Sequence, residues 1–349
     1  MKSEKLLPVL KRVLSVFARR DRGTRFAIVY FKAGTVTVSN IFYSVSAKVD
    51  TESEQLISKE CFNFLGSYAA QRNLQVGFKK GAFFLRDTAI HEFNTPFHRF
   101  NDIPDPILDL WDRQIKWLDC PSELIAGIEM VRPFAALRDS NPVLRSVQIG
   151  SMFVVGANNF SLCRYKLPSS VPFAFNLPSY SSKPLLEFKG ERQLRIARHH
   201  ISNTAGDGVL FDFGNLRVCS RMVDGQQLID KVNEYFNNYD NLTELIQVPL
   251  KVNKMLRRAI KATKKYETPI LRIRTRENKI SLSVCGNIEI TEEFACERAF
   301  PPMDFGVDLY DFAKIVKKAT MFGFNAPHDP LFLTDGKCQF LQQVFRLSD

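Results

Sequence analysis

Three times along the chain a helical pattern gives way to alternating strands, then to a second, shorter helix and further strands. In the first pass Leu6, Leu7, Leu10, Val13, Leu14 and Phe17 make an apolar stripe at helical spacing over residues 5–18, with Pro8 tolerable in the first turn. Alternating residues in "RFAIVYF" and "TVTVSN" read as strands. A second helix over 58–70 has Ser58 as N-cap and Glu60 in its first turn, and the hairpin "LQVGFKKGAFFLRDTA" follows. The second pass opens with a helix over 121–137 on Leu124, Ile125, Ile128, Val131 and Phe134. Strands in "RSVQIGSMFVVGANNFSLCRYKL" come next, then a short helix over 179–188 capped by Ser181 or Ser182, then strands ending in "LRVCSRMVDG". The third has a helix over 250–266, strands in "PILRIRTRENKISLSVCGNIEITEEF", a helix over 307–319 and the closing "PLFLTDGKCQFLQQVFRL". Residues 101–112 and 237–245 read as linkers.

The copies share little sequence, so the repeat rests on element order. It predicts an α+β chain of three domains, 1–104, 105–237 and 238–349, each a sheet with two helices on one face. A chain of 349 residues is too long for one ordinary core, which agrees.

Lys and Arg number 48 against 37 Asp and Glu, a formal net charge of +11, which favours a polyanion such as nucleic acid or a membrane surface. The first residues alternate charge with apolar side chains, unlike a secretory leader, and no stretch is long and apolar enough to span a bilayer. The seven cysteines are scattered and lack CxxC spacing, which speaks for a reducing, cytoplasmic setting and against a zinc site or disulfide frame. His199 and His200 are adjacent; on a strand they point to opposite faces and cannot easily share one metal. No nucleophile elbow, HExxH or P-loop occurs, and neither Asp-Gly turn has calcium-loop spacing. We therefore expect no enzyme and no cofactor.

The strongest charge pattern is "LKVNKMLRRAIKATKKYE" from Leu250. Lys251, Lys254, Arg258, Lys261 and Lys265 fall along one helical face; Val252, Met255, Leu256, Ala259 and Thr263 fall on the other. The basic face carries no acidic residue four positions away. A solvated face is the plain alternative.

In this order of elements the chain resembles the bacterial-type DNA polymerase sliding clamp, the beta processivity subunit. "SRMVDG" (220–225) looks like that family's Ser-Arg-apolar-apolar-acid-Gly strand end. "IPDPILDLWDRQIKWLDCPSEL" (103–124) is similar to its first connector, and "LRRAIKATKKYETPILRIRTRENKISLSV" to the start of its third domain. The tail resembles its last hairpin, ending in Arg-Leu. Departures mark a divergent, phage-like member. The first helix starts almost at Met1, "DGQQLIDKVNEYF" stands where the family continues Asp-Gly into a Phe-Pro-Asp-Tyr segment, "ANNFS" (157–161) replaces a Thr-Asp-Gly-His loop, and Ser348 and Asp349 follow the Arg-Leu.

The resemblance implies three sliding-clamp domains per chain and a head-to-tail homodimer ring around double-stranded DNA. A replicative DNA polymerase and a clamp loader would be partners. Phosphate contacts without base readout suit sliding. Lys251, Lys254, Arg258, Lys261 and Lys265 would face the DNA, as would Lys314, Lys317 and Lys318 on the second helix of the third domain. Lys11, Arg12, Arg19, Arg20 and Arg22 are the first domain's candidates, while Glu123 and Glu129 against Arg132 and Arg138 make the second domain's lining uneven. Partner peptides would dock in an apolar cleft built from Val147, Ala157, Asn159, Phe160 and Leu162, from Leu242 and Leu245, and from Leu341, Gln343 and Phe345. At the expected subunit contact Ala262 and Thr263 lie beside Lys264 and Lys265, which predicts weak ring closure. The alternatives are a non-ring nucleic-acid-binding accessory protein with the same fold and, more remotely, a nuclease using acidic strand ends.

Overall fold

Antiparallel pairing between strands far apart in the chain organises the structure, a computed structural model. It describes residues 13, 28–32, 34–39, 43–49, 55–57, 75–79, 82–86, 92–96, 110–111, 114–136, 139–202, 206–240, 242, 245–249, 251–263, 269–284, 290–324, 326 and 329–347. In chain order the elements begin with β1 (Ile28–Lys32), β2 (Thr35–Ser39), β3 (Tyr43–Lys48), β4 (Gln55–Ile57), β5 (Gln75–Lys79), β6 (Ala82–Arg86), β7 (Glu92–Pro96) and β8 (Leu118–Cys120). Next come α1 (Glu123–Val131), β9 (Ser146–Ile149), β10 (Phe153–Ala157), β11 (Ser161–Lys166), β12 (Phe175–Pro178), α2 (Ser179–Ser182), β13 (Leu194–Ser202), β14 (Gly206–Asp212) and β15 (Leu216–Arg221). The last are α3 (Ile229–Asn237), β16 (Ile246–Gln247), α4 (Val252–Ala262), β17 (Ile270–Val284), β18 (Ile290–Asp308), α5 (Leu309–Val316), β19 (Met321–Gly323), β20 (Leu331–Thr334) and β21 (Cys338–Gln342).

Two units result, 1–126 with 169–224 and 127–168 with 225–349. In the first, an antiparallel sheet runs β4-β1-β2-β3-β15-β14-β13-β8. Its middle seam joins β3 to the distant β15, with Val45 opposite Val218. Val36, Val38, Val45, Leu210 and Val218 are buried along it, as the alternation of apolar residues predicts. A separate meander, β5-β6-β7, belongs to the same unit.

In the second unit an antiparallel sheet contains the run β9-β10-β11-β21-β20-β19-β16. Its seam joins β11 to β21, with Cys163 opposite Phe340. One face packs α1 and the tight turn Arg132–Phe134 that follows it; the Phe134 and Phe340 rings lie 5.4 Å apart. Gly156 permits this approach, because a Cβ there would sit 2.7 Å from the Val131 carbonyl oxygen. α4 and α5 pack against each other. With Ile273, Leu282, Leu331 and Leu333, their Val252, Phe312 and Val316 line one apolar pocket. The ribbon β17–β18 is irregular between Thr275 and Lys279. The opposite face of the sheet carries α3.

Several expectations shift. The helix predicted over 121–137 is α-helical only over Glu123–Val131; Pro133, lacking an amide proton, falls in the 3-10 turn that ends it. The helix predicted over 179–188 splits into α2, which follows Pro178, and a 3-10 helix Lys183–Phe188, for which Ser182 holds the N-cap position without a side-chain cap bond; its hydroxyl instead donates to the Ser179 carbonyl at 2.7 Å. The presumed linker 101–112 ends in packed residues, since Leu110 is buried against Ala197, Leu210 and Cys219. The helix α3, just before the presumed linker 237–245, was not expected at all. Of the helix predicted over 5–18 only Val13 is described; it is helical and buried. The helix predicted over 58–70 and residues 264–266 of the third opening helix lie outside the described residues.

Candidate nucleic-acid and partner interfaces

α4 is amphipathic in the way its spacing predicts. Val252, Met255, Leu256 and Ala259 are buried, while Lys251, Lys254, Arg257, Arg258 and Lys261 are exposed. Thr263 closes its buried face: its hydroxyl donates to the Ala259 carbonyl at 2.8 Å, so it is not free for a subunit contact. The helix has no acidic residue in its first turn and no side-chain cap at Lys251. Its positive dipole end therefore adds to the lysine charge there. Lys251, Lys254, Arg257 and Lys261 have no ion pair among the described residues. Arg257 was not among the residues picked by spacing; its position beside Arg258 was the only signal. Arg258 does have an acidic partner, Glu292 of β18, which helical spacing could not reveal.

The lysines of the second helix divide. Lys317 is exposed. The Lys314 ammonium donates to Asp311 Oδ1 at 2.6 Å. Lys318 turns inward: its Nζ donates to the Met130 carbonyl at 2.9 Å and lies 5.8 Å from the centre of the Phe134 ring. Burial holds its pKa below the ordinary lysine value. Lys11, Arg12, Arg19, Arg20, Arg22 and Lys265 lie outside the described residues.

The cleft candidates form two groups. Leu162, Leu242, Leu245 and Leu341 join one apolar cluster with Val155, Phe332 and the buried face of α3. Phe160 and Phe345 meet edge to face at 5.9 Å, and the Gln343 amide donates to the Phe160 carbonyl at 2.8 Å. Asn159 is exposed beside them; Val147 and Ala157 are buried strand residues.

The "ANNFS" loop is fixed from below. Asn158 Oδ1 accepts from the Phe160 and Ser161 amides, both at 2.8 Å. Asn158 Nδ2 and the Ser161 hydroxyl donate to Asp311 Oδ2 at 2.8 and 2.7 Å. Asp308 caps α5 by accepting from the Asp311 amide at 2.7 Å.

Beside the apolar cluster lies Arg164, only 3% exposed. It donates to Gln339, Asn233 and Asp240, the last at 2.9 Å. Its guanidinium carbon is 4.8 Å from the Phe153 ring centre and 4.6 Å from that of Phe236. Burial lowers its pKa and the Asp240 charge opposes the shift. Cys163 and Cys338 are buried free thiols 3.5 Å apart, and burial pushes the Cys163 thiol well up.

Among the described residues no group of three His, Cys, Asp or Glu side chains could hold a metal ion. His199 and His200 occupy consecutive positions on β13, and His200 pairs with Asp207 at 3.1 Å. No described helix is long and apolar enough to cross a membrane.

Neither a protein-family model nor a curated protein matches the sequence. Solved structures do match. The putative DNA polymerase III beta subunit of Eubacterium rectale superposes with a TM-score of 0.77 at 12% identity, over 99% of this chain and 98% of that one. The beta subunit of the Streptococcus pyogenes DNA polymerase gives 0.77 at 14% identity, over 99% of both chains. The DNA polymerase sliding clamp of Bacillus subtilis gives 0.77 at 13% identity, over 100% of this chain and 98% of that one. The fold is that of the sliding clamps.

Proposed function

We propose that this chain is a DNA polymerase processivity factor: a clamp of three domains, 1–104, 105–237 and 238–349, whose two copies enclose duplex DNA. The observation that carries this reading is the basic face of α4. A helix sealed on one side by Val252, Met255, Leu256 and Ala259 holds on the other four exposed cations that have no acidic partner among the described residues. Flexible lysines on a rigid support attract phosphates and read no bases, which is what sliding needs. Lys317 extends the surface; Lys318 does not, because its charge serves the core.

The two seams support closure. β3–β15 and β11–β21 each extend a sheet by pairing strands from distant parts of the chain. Among the described residues β5-β6-β7 gains no further strand, and β17 and β18 pair with each other and, at Gly306, with Phe345. A second copy could continue these open edges in the same antiparallel way. The expected weakness of the dimer remains part of the proposal. Peptides of a polymerase and a clamp loader would dock at the cluster of Leu162, Leu242, Leu245 and Leu341 and beside Phe160, Gln343 and Phe345.

The test is topological. The protein is loaded on circular DNA, which is then linearised at physiological salt. A clamp slides off the ends; retention would sink this reading and leave the runner-up, a non-ring nucleic-acid-binding accessory protein. Thr263 favours that runner-up, since its buried, internally bonded hydroxyl offers nothing to a subunit contact. Sedimentation at nanomolar protein decides the point: a tight dimer removes it.

A further inference from the structure

The sheet face opposite α1 presents Val155, Leu162, Phe332 and Leu341. Bare, these four would make an apolar floor for a linear peptide. They are not bare. α3 lies on them through Ile229, Val232 and Phe236. Its outer residues Asp230, Lys231, Glu234 and Tyr235 are exposed. The helix belongs to "DGQQLIDKVNEYF", one of the stretches where the sequence departs from the pattern it otherwise resembles.

We infer that α3 is an in-chain occupant of the docking floor, a lid latched by Arg164, and that a partner peptide reaches Leu162 and Leu341 only when α3 lifts. This lid presupposes the peptide-docking reading above. Three features make α3 a lid. A nine-residue helix with no side-chain cap at Leu228 has no stability of its own, so its seat holds it. The seat fits it closely: a Cβ on Gly150 would come 2.9 Å from Ile229 Cδ1, so any larger residue there would push the Ile229 side chain aside. The latch sits at the helix's far end. Arg164 Nη1 donates to Asn233 at 3.3 Å, Nη2 donates to Asp240 at 2.9 Å, and the guanidinium stacks on Phe236. Near the hinge, the Leu228 amide donates to Gln148 Oε1 at 2.7 Å.

The displaced groups set the chemistry of the replacement. Ile229, Val232 and Phe236 would give way to apolar side chains. Asp240, whose side chain is 42% exposed, would give way to a peptide carboxylate on Arg164. The partner this surface fits is an apolar, acidic linear peptide. Its apparent affinity is reduced by the fraction of time the lid is shut.

The experiment compares the full chain with Asp240→Ala, which takes the carboxylate off the latch and leaves Arg164, still bonded to Gln339, for the peptide. Hydrogen exchange should show α3 amides opening at least tenfold faster in the variant, with β10, β11 and β21 unchanged. A phage-displayed peptide library selected on both proteins should yield peptides binding the variant at least tenfold more tightly. Leu341→Asp in the same background should abolish that binding. Asn233→Ala, which removes the other lid contact of Arg164, should move both readouts the same way, and serves if Asp240→Ala does not fold. If α3 exchanges together with the sheet in every protein, the lid is overturned. Equal peptide affinity for wild type and variant overturns the lid alone. Opening without any selected peptide overturns the docking reading, and the lid with it.

Discussion

The Arg217 guanidinium lies 4.1 Å from the centre of the Trp111 ring, and its Nη1 donates to the Leu110 carbonyl at 2.7 Å. The pair sits at the β3–β15 seam, because the Trp111 indole nitrogen also donates to the Ser46 hydroxyl of β3 at 2.8 Å. Arg164 plays the corresponding part at the β11–β21 seam, bonding Gln339 across it. In each unit an arginine on one strand holds a connecting segment over the join. Trp111→Ala should cost about 2–3 kcal/mol in urea unfolding, from lost burial and cation–π contact. Trp111→Phe keeps the ring face and should lose only about 1 kcal/mol, the indole hydrogen bond. Equal losses would remove the stacking from the account.

Asp311 should be a sensitive position although it is neither on the basic face nor in the cleft. It accepts from Asn158, Ser161 and Lys314 and is 4% exposed. Asp311→Ala leaves three donors without their acceptor and should destabilise by about 2–4 kcal/mol. Asn158→Ala should cost less in stability but speed hydrogen exchange at the Phe160 and Ser161 amides, which Asn158 Oδ1 holds. Unchanged exchange there would mean the loop is fixed by its strands alone.

The elements that were legible in the sequence were those with a long period or a strong stripe. α4 showed both faces because its buried and charged residues alternate over eleven positions. α3 was missed, although Ile229, Val232 and Phe236 are three and then four apart. It is short, lacks a capping residue and runs into a segment rich in Asn and Asp. The start at Ser179 is illegible because Pro178 has no side-chain acceptor to mark it, while Ser182 marks only the 3-10 helix that follows. Contacts between elements were out of reach in principle. Nothing in the spacing tells that Glu292 meets Arg258, or that Lys318 turns from the basic surface to the Met130 carbonyl. Helical periodicity assigns a face, and only the tertiary fold decides what lies opposite.

The lysines can be sorted by salt. If Lys251, Lys254 and Lys261 each neutralise one phosphate, their combined change to Ala should lower the slope of log affinity against log salt by about 2.7 on duplex DNA. The loss should be the same on unrelated sequences. Lys318→Ala should leave the slope unchanged and instead lower stability, since the Met130 carbonyl loses its donor. Glu292→Gln should release Arg258 and steepen the slope by up to about one. A flat response to the triple change, measured by fluorescence anisotropy, would move the DNA surface elsewhere.

Two carboxylates at the end of β18 should oppose each other in acid. Arg272 donates to both Asp304 oxygens, at 2.7 and 2.6 Å, and Arg274 adds a bond at 2.8 Å. The Arg272 hydrogen bonds are the chief cause holding the Asp304 carboxyl below its ordinary 3.8. A depressed folded value means stability that is present above 3.8 and lost as the pH falls through the folded pKa. Asp304→Asn should therefore flatten the acid limb of a melting-temperature profile from about pH 2.5 to pH 7. The effect should shrink in high salt, because the Asp304 side chain is 40% exposed. Asp308 runs the other way. Burial raises its carboxyl above 3.8, so its contribution is full below 3.8 and is lost as the pH rises through the folded value. Asn also caps helices well, so Asp308→Asn should raise stability at neutral pH while leaving the acid end nearly unchanged. A loss at neutral pH would show that the ionised Asp308 holds the α5 cap more strongly than its burial opposes it.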